Sequence, residues 1–250
     1  MISLETIKKL GIQYQTSEFN IVREYFQHLF LSYLYKLERA GNLLFKGGTA
    51  LHIIYGSPRF SEDLDFSIFS VESREQKQYI EDLFAKVLVE IENFDIRVDI
   101  GPKPGPTAEG YYGDATFKIY DYDVAVVINV SSRNGREMKG EVDSIANDFV
   151  PTYNVFHLPQ VELVEEKVFD ALLKRKKARD FYDLYFIMRK GLLAPGQKKR
   201  LGSIKNTILS SAEVDFKTEL GALLPQDQQA IIKDFQNNLA GELNRQLSGI

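Results

Sequence analysis

Two aspartates two residues apart, Asp63 and Asp65, carry the clearest chemistry in the chain. They stand in the segment FKGGTALHIIYGSPRFSEDLDFSIF. Residues 63–69 have the alternating character of a strand, in which residues two apart share a face. The two carboxylates then project together, while Leu64, Phe66 and Ile68 point the other way into a core. Paired carboxylates repel each other unless a cation lies between them. Hard Mg²⁺ accepts such oxygens and keeps its remaining positions for water and phosphate. Upstream, Gly47-Gly48 lets the backbone approach a phosphate closely, and a helix starting there aims N–H groups at negative charge. Each feature alone also reads as plain structure, a solvated strand face and a turn. Their occurrence together, in this order, points to metal and phosphate.

A second cluster lies in VELVEEKVFDALLKRKKARDFYDLYFIMRKG. The pattern predicts one helix over 161–177 and another starting near Asp180. At about 100° per residue, Val164, Val168, Ala171 and Leu172 form the buried face. Lys167, Ala171 and Arg175 make a stripe on or beside it, with Arg175 near the middle of the apolar arc. Cations aimed inward need an anion, either a carboxylate cluster or a phosphate. Asp180 and Asp183 share one face of the second helix. They also admit structural readings, Asp180 as a helix cap and Asp183 as the i+4 partner of Arg179.

The elements that must position these groups are legible in outline. Apolar residues from Ile21 to Leu37 recur at helical spacing, and with Ser17 as cap and Gly41 as stop they predict one helix over about 17–40. A short apolar piece, 43–45, runs into the glycines, and 50–55 reads as a short helix. A helix over 74–93 precedes three strands, 94–100, 115–120 and 124–130. Between the first two lies GPKPGPTAEGYYGD, whose prolines and glycines predict an irregular loop. After about Pro151 the strand pattern gives way to helices. The expected division is an α/β half over 1–150 and a helical half over 151–250.

With 44% hydrophobic and 26% charged residues the composition is that of a globular protein, and the formal charge of −4 speaks against a surface built mainly to coat phosphates. There is no cysteine, so disulfides and thiolate sites are excluded. The N-terminal MISLETIKKL has no apolar signal core, and no run approaches the roughly 20 apolar residues of a membrane span. A cytoplasmic protein without a membrane partner is the expectation. His28, His52 and His157 lack ligand spacing and read as structural.

Lys46-Gly47-Gly48-Thr49-Ala50-Leu51 followed by Arg59-Phe60-Ser61-Glu62-Asp63-Leu64-Asp65-Phe66 resembles the first motif of the AbiEii/AbiGii toxin family, a nucleotidyltransferase branch related to the MenT toxins. Glu166-Lys167, Ala171-Leu172, Arg175 and Arg179-Asp180 with Asp183-Leu184 are similar to its downstream motifs. The resemblance implies an α+β fold: a nucleotidyltransferase-type mixed sheet flanked by helices, followed by a helical domain that contributes active-site residues. It implies that Asp63 and Asp65 hold Mg²⁺, and that Lys46, Gly47, Gly48, Thr49, Ser61 and Arg175 face the NTP. It further implies that Lys167 and one of Asp180 and Asp183 are needed for activity, that a cognate antitoxin exists, and that the acceptor is tRNA in some members.

The superfamily commonly adds a third carboxylate on a later strand. In VAVVINVSSRNG the corresponding residue is Asn129, an amide that can coordinate Mg²⁺ through its oxygen but brings no charge and cannot serve as a base. Asp121 and Asp123 sit at a turn instead, and Arg133, just past the strand, could meet a phosphate but reads rather as a surface residue. The basic runs Lys174 to Lys177 with Arg179, and Lys198 to Arg200, could track RNA but are also ordinary solvated faces. Two other readings stay open: a transferase acting on a small molecule such as an antibiotic, and a pseudoenzyme that binds nucleotide or RNA without turnover.

Overall fold

The computed structural model describes residues 1–102, 104–133, 136–209 and 214–248. Two compact units emerge from it: Met1–Gly56 with Phe60–Leu158, and Ser57–Arg59 with Pro159–Ile250. The first is built on a mixed sheet. Its strands are β1 (Leu43–Lys46), β2 (Leu64–Ile68), β3 (Arg97–Ile100), β4 (Gly105–Thr107), β5 (Gly110–Ile119), β6 (Tyr122–Ser132), β7 (Glu141–Ile145) and β8 (Tyr153–His157). They lie in the order β3-β5-β6-β2-β1-β8-β7, with β4 added to β5. The β1–β8 and β2–β6 pairs are parallel and the others antiparallel.

Helices of this unit are α1 (Leu4–Gln13), α2 (Glu18–Leu34), α3 (Gly47–Ile53) and α4 (Ser73–Glu92). The side chain of Ser17 caps α2 by accepting from the Asn20 amide, as predicted. The helix ends at Leu34, short of the predicted 40, and a 3₁₀ turn covers Glu38–Asn42. Along β5 and β6 burial alternates, with Phe117, Ile119, Val124, Val126, Ile128 and Val130 turned inward. Phe26 of α2 stacks on Phe117 at 4.8 Å, and Phe84 of α4 meets Phe30 and Phe66 edge-on or tilted at 5.4 and 6.2 Å. Each such ring contributes about 1.5–3 kcal/mol by leaving water, and together they fix α2 and α4 to one sheet face. The opposite face carries the polar residues.

Two expectations fail here. Within the stretch 101–114, residues 105–114 are not irregular: β4 and the start of β5 form a tight hairpin, Thr107 paired with Gly110, whose φ of +155° only glycine adopts easily. Strand pairing also continues beyond Pro151, because β8 is recruited beside β1 through Phe45 and His157. Its sequence YNVFH is short, and only tertiary pairing makes it a strand.

The second unit is helical: α5 (Gln160–Val164), a π-type turn (Glu165–Ala171), α6 (Leu172–Arg175), α7 (Ala178–Lys190), α8 (Pro195–Arg200), α9 (Lys205–Leu209), α10 (Phe216–Leu220) and α11 (Phe235–Ser248), with 3₁₀ turns at Leu201–Ile204 and Gln226–Asp234. Phe181, Tyr182, Phe216 and Phe235 form its aromatic core. Among the described residues no helix is long and apolar enough to cross a membrane.

Candidate active site

Asp65 is the second residue of β2, facing Lys46 of β1 on one side and Asn129 of β6 on the other. All three side chains share the open face of the sheet. Asn129 Nδ2 donates to Asp65 Oδ1 at 3.2 Å, and Lys46 Nζ donates to Ser131 Oγ at 3.2 Å. Ser67, two residues beyond Asp65, is fully buried and accepts from Nε and Nη2 of Arg133 at 3.3 and 3.1 Å. Arg133 is therefore not the surface residue expected from sequence. It folds back over the sheet beside the aspartate, a placement that only the β2–β6 register reveals.

Gly47 opens α3 with φ +86°, and a Cβ there would lie 2.2 Å from Asp65 Oδ2. The glycine is thus required twice, for its left-handed backbone and for the room it leaves the carboxylate. The helix begins at the glycines rather than at Ala50. Thr49, fully buried, donates its hydroxyl to the Asp63 carbonyl, which ties α3 to the residue just before β2. Asp63 itself is half-buried. The Ser61 carbonyl accepts from Gln27 Nε2 of α2 at 2.9 Å. Glu24, one turn earlier, lies half-buried between His52 of α3 at 3.1 Å and His28 at 3.6 Å, and His28 Nδ1 meets the Tyr153 hydroxyl at 2.8 Å. Burial alone would raise the Glu24 pKa, but hydrogen bonds from the two imidazoles bring it down to about 2. The glycine turn and the aspartate strand are both braced from α2.

Among the described residues no group of three or more His, Cys, Asp or Glu is arranged to hold a metal. A set of one or two carboxylates, completed by water and substrate phosphate, is nonetheless the donor set that Mg²⁺ uses. The carboxylate of Asp65, backed by a glycine that gives it space, fits that requirement.

In the helical unit, Asp183 of α7 is the hub. Arg59 grips it with two hydrogen bonds, Nε to Oδ1 at 3.0 Å and Nη2 to Oδ2 at 3.1 Å, and Lys167 Nζ donates to Oδ2 at 2.8 Å. Arg59 and Asp183 are each 2% exposed and Lys167 12%. Burial would raise the Asp183 pKa, but Arg59 and then Lys167 hold it below the usual carboxylate range. The anion that the inward lysine required is therefore a carboxylate. Arg59 was missed from sequence; an arginine among small and apolar residues, four before Asp63, was the available signal. Arg179 pairs with Glu219 at 3.5 Å and not with Asp183. Asp180 is buried at the third position of α7, accepting from the Lys177 amide at 3.4 Å and from Arg175 Nη2 at 2.5 Å.

Arg175 corrects the helical-wheel expectation: its side chain is 44% exposed, outside the apolar arc. The π-type turn over Glu165–Ala171 places more residues in each turn than an α-helix, so a phase counted at α-helical spacing drifts by the time it reaches residue 175. Lys174, Lys176 and Lys177 are exposed as well, while Arg200 packs on Phe169 and pairs with Glu165.

Residues 29–246 match the family described as nucleotidyl transferase AbiEii toxin, Type IV TA system. The chain belongs to this family. Toxin–antitoxin membership implies a cognate antitoxin, and the family name a nucleotidyltransferase activity. Two Helicobacter pylori structures share the fold. A candidate nucleotidyltransferase superposes with a TM-score of 0.61 at 21% identity, covering 93% of this chain and 96% of its own. The protein JHP933 gives 0.64 at 22% identity, covering 94% of both chains. No curated protein matches the chain at a significant level.

Proposed function

We propose that this AbiEii-family protein transfers a nucleotide from an NTP to an acceptor hydroxyl with Mg²⁺, acting as the toxin of its system on an RNA acceptor such as tRNA. The observation that carries the reading is Asp65, set between Lys46 and Asn129 with its second oxygen against the bare backbone of Gly47. Asp63 and Asp65 would hold the metal, which when bound neutralises charge on the phosphates and lowers the pKa of the acceptor hydroxyl. Lys46 and the Gly47-Gly48 backbone receive the triphosphate, while Thr49, expected from sequence to face the NTP, is buried and instead ties the glycine turn to the Asp63 carbonyl, with Ser61 fixing the approach to Asp63. In the helical unit Asp183, itself held by Arg59, orients Lys167, the cation that the family's downstream motif makes necessary for activity, while Arg175 and Asp180 brace the same helix pair. Such reactions run on positioning and electrostatics, so loss of one metal-holding carboxylate should cost on the order of 10²-fold or more.

The test incubates the protein with Mg²⁺, each α-labelled NTP and total tRNA, beside Asp63→Ala and Asp65→Asn. Label entering RNA with the wild type alone supports the reading. Equal labelling by the variants refutes the assignment of the aspartates. Asn129 favours one competing reading, because its amide occupies Asp65 Oδ1 where the superfamily commonly places a carboxylate. NTP binding without incorporation into any acceptor would make the protein a nucleotide-binding pseudoenzyme.

A further inference from the structure

The open sheet face is ordered across its strands. Lys46 and the glycine turn lie at β1, Asp65 on β2, Asn129 on β6, and Tyr112 on β5 directly opposite Asn129. Neighbouring strands are spaced about 4.8 Å apart, so Tyr112 stands roughly 10 Å from Asp65 on the same face. The residue is 38% exposed, unlike its neighbour Tyr111, which turns into the core at 8%. Phosphoryl transfer proceeds in line, with the attacking oxygen and the departing group on opposite sides of the phosphorus. With the triphosphate on the β1 side, pyrophosphate leaves toward Lys46 and the glycines. The acceptor must then approach from the other side of Asp65, over β6 and β5.

We infer that Tyr112 is the acceptor-side platform, on which a nucleobase of a single-stranded RNA acceptor stacks while its hydroxyl reaches Asp65. The inference rests on the transferase reading above. An exposed aromatic ring is what an unpaired base seeks, since every base has a flat face to offer it. The charges of the face agree. Lys46 and Arg133 place two cations toward the β1–β2 side and the end of β6. Asp114, the next residue of β5 on this face, disfavours a phosphate there, so the ring rather than the backbone of the acceptor meets Tyr112. Asn129, between ring and carboxylate, has an amide suited to a ribose or base edge. None of these contacts adds a covalent step: the acceptor oxygen bonds to the α-phosphorus, the bond to the bridging oxygen breaks, and the hydroxyl proton passes to solvent.

Two measurements test it with the full chain. Anisotropy of a labelled single-stranded RNA reads acceptor binding without turnover. Steady-state kinetics read KM separately for NTP and for RNA. Tyr112→Ala should weaken RNA binding and raise the RNA KM by about tenfold, leaving the NTP KM unchanged. Tyr112→Phe and Tyr112→Trp should restore wild-type behaviour, because stacking needs the ring and not the hydroxyl. Unchanged RNA affinity in Tyr112→Ala overturns the inference, as does an effect confined to the NTP KM. Wild-type protein that does not bind RNA overturns it as well. Wild type that binds RNA in a Tyr112-dependent way yet transfers no nucleotide would defeat the transferase reading and leave the platform standing.

Discussion

Replacing Asp183 by Asn should unfold the helical unit far more readily than replacing Lys167 by Met, although both touch the same hydrogen-bonded cluster. Asp183→Asn removes the single negative charge shared by Arg59 and Lys167, both within 3.1 Å of its oxygens. Arg59 is 2% exposed, so its guanidinium would lose its bidentate carboxylate in a place where water can hardly replace it. Breaking a buried pair in this way costs about 3–5 kcal/mol. Lys167→Met keeps the Arg59–Asp183 pair neutral as a unit, and the methionine preserves most of the apolar stem, so about 1–2 kcal/mol should be lost. At roughly 2–4 °C per kcal/mol for a chain of this size, Asp183→Asn should melt some 10 °C below wild type and Lys167→Met only a few degrees below. The assay is thermal unfolding by circular dichroism, with labelled nucleotide transfer measured at a temperature where both variants are folded. If Lys167 serves substrate, its variant should be folded and inactive. Equal destabilisation by the two changes would refute this division, and would make Lys167 a structural counter-charge.

Gly47→Ala should leave unfolding nearly intact, with a cost of about 1–2 kcal/mol from the left-handed backbone. It should nonetheless abolish transfer, because its Cβ would meet Asp65 Oδ2 at 2.2 Å and push the carboxylate aside; transfer activity within threefold of wild type would contradict the geometry. Arg133→Met should raise the NTP or RNA KM without changing stability by more than about 1 kcal/mol, as read by paired kinetics and urea unfolding. Glu24 has its pKa drawn down from 4.5 to about 2 in the folded chain, so its contribution to stability is complete above pH 4.5 and is lost as pH falls toward 2. That linkage amounts to on the order of 3 kcal/mol, and Glu24→Gln should lose it at neutral pH while flattening the acid limb of the stability profile; an unchanged acid limb would show that the His28 and His52 contacts do not act this way.

Local chemistry was readable wherever neighbours in sequence stay neighbours in space. The Ser17 cap, the glycine turn, the alternation that sends Asp65 outward and Phe66 inward, and the helix beginning near Asp180 all follow from periods of two or 3.6 residues. Counting failed where geometry departed from those periods. The π-type turn moved Arg175 out of the arc assigned to it, and residues 105–112 of the proline-rich stretch became a hairpin because β5 offered β4 a partner.

The residues of FKGGTA, RFSEDLDF and the downstream Lys-Asp segment thus determined the family and the kind of chemistry, because those side chains and backbone freedoms are intrinsic to residue type. Which groups meet was left to the tertiary structure. Arg59 with Asp183 spans 124 positions and Asn129 with Asp65 spans 64. Such contacts are fixed by strand register and by the need to pair each buried charge, conditions that no local window of sequence expresses.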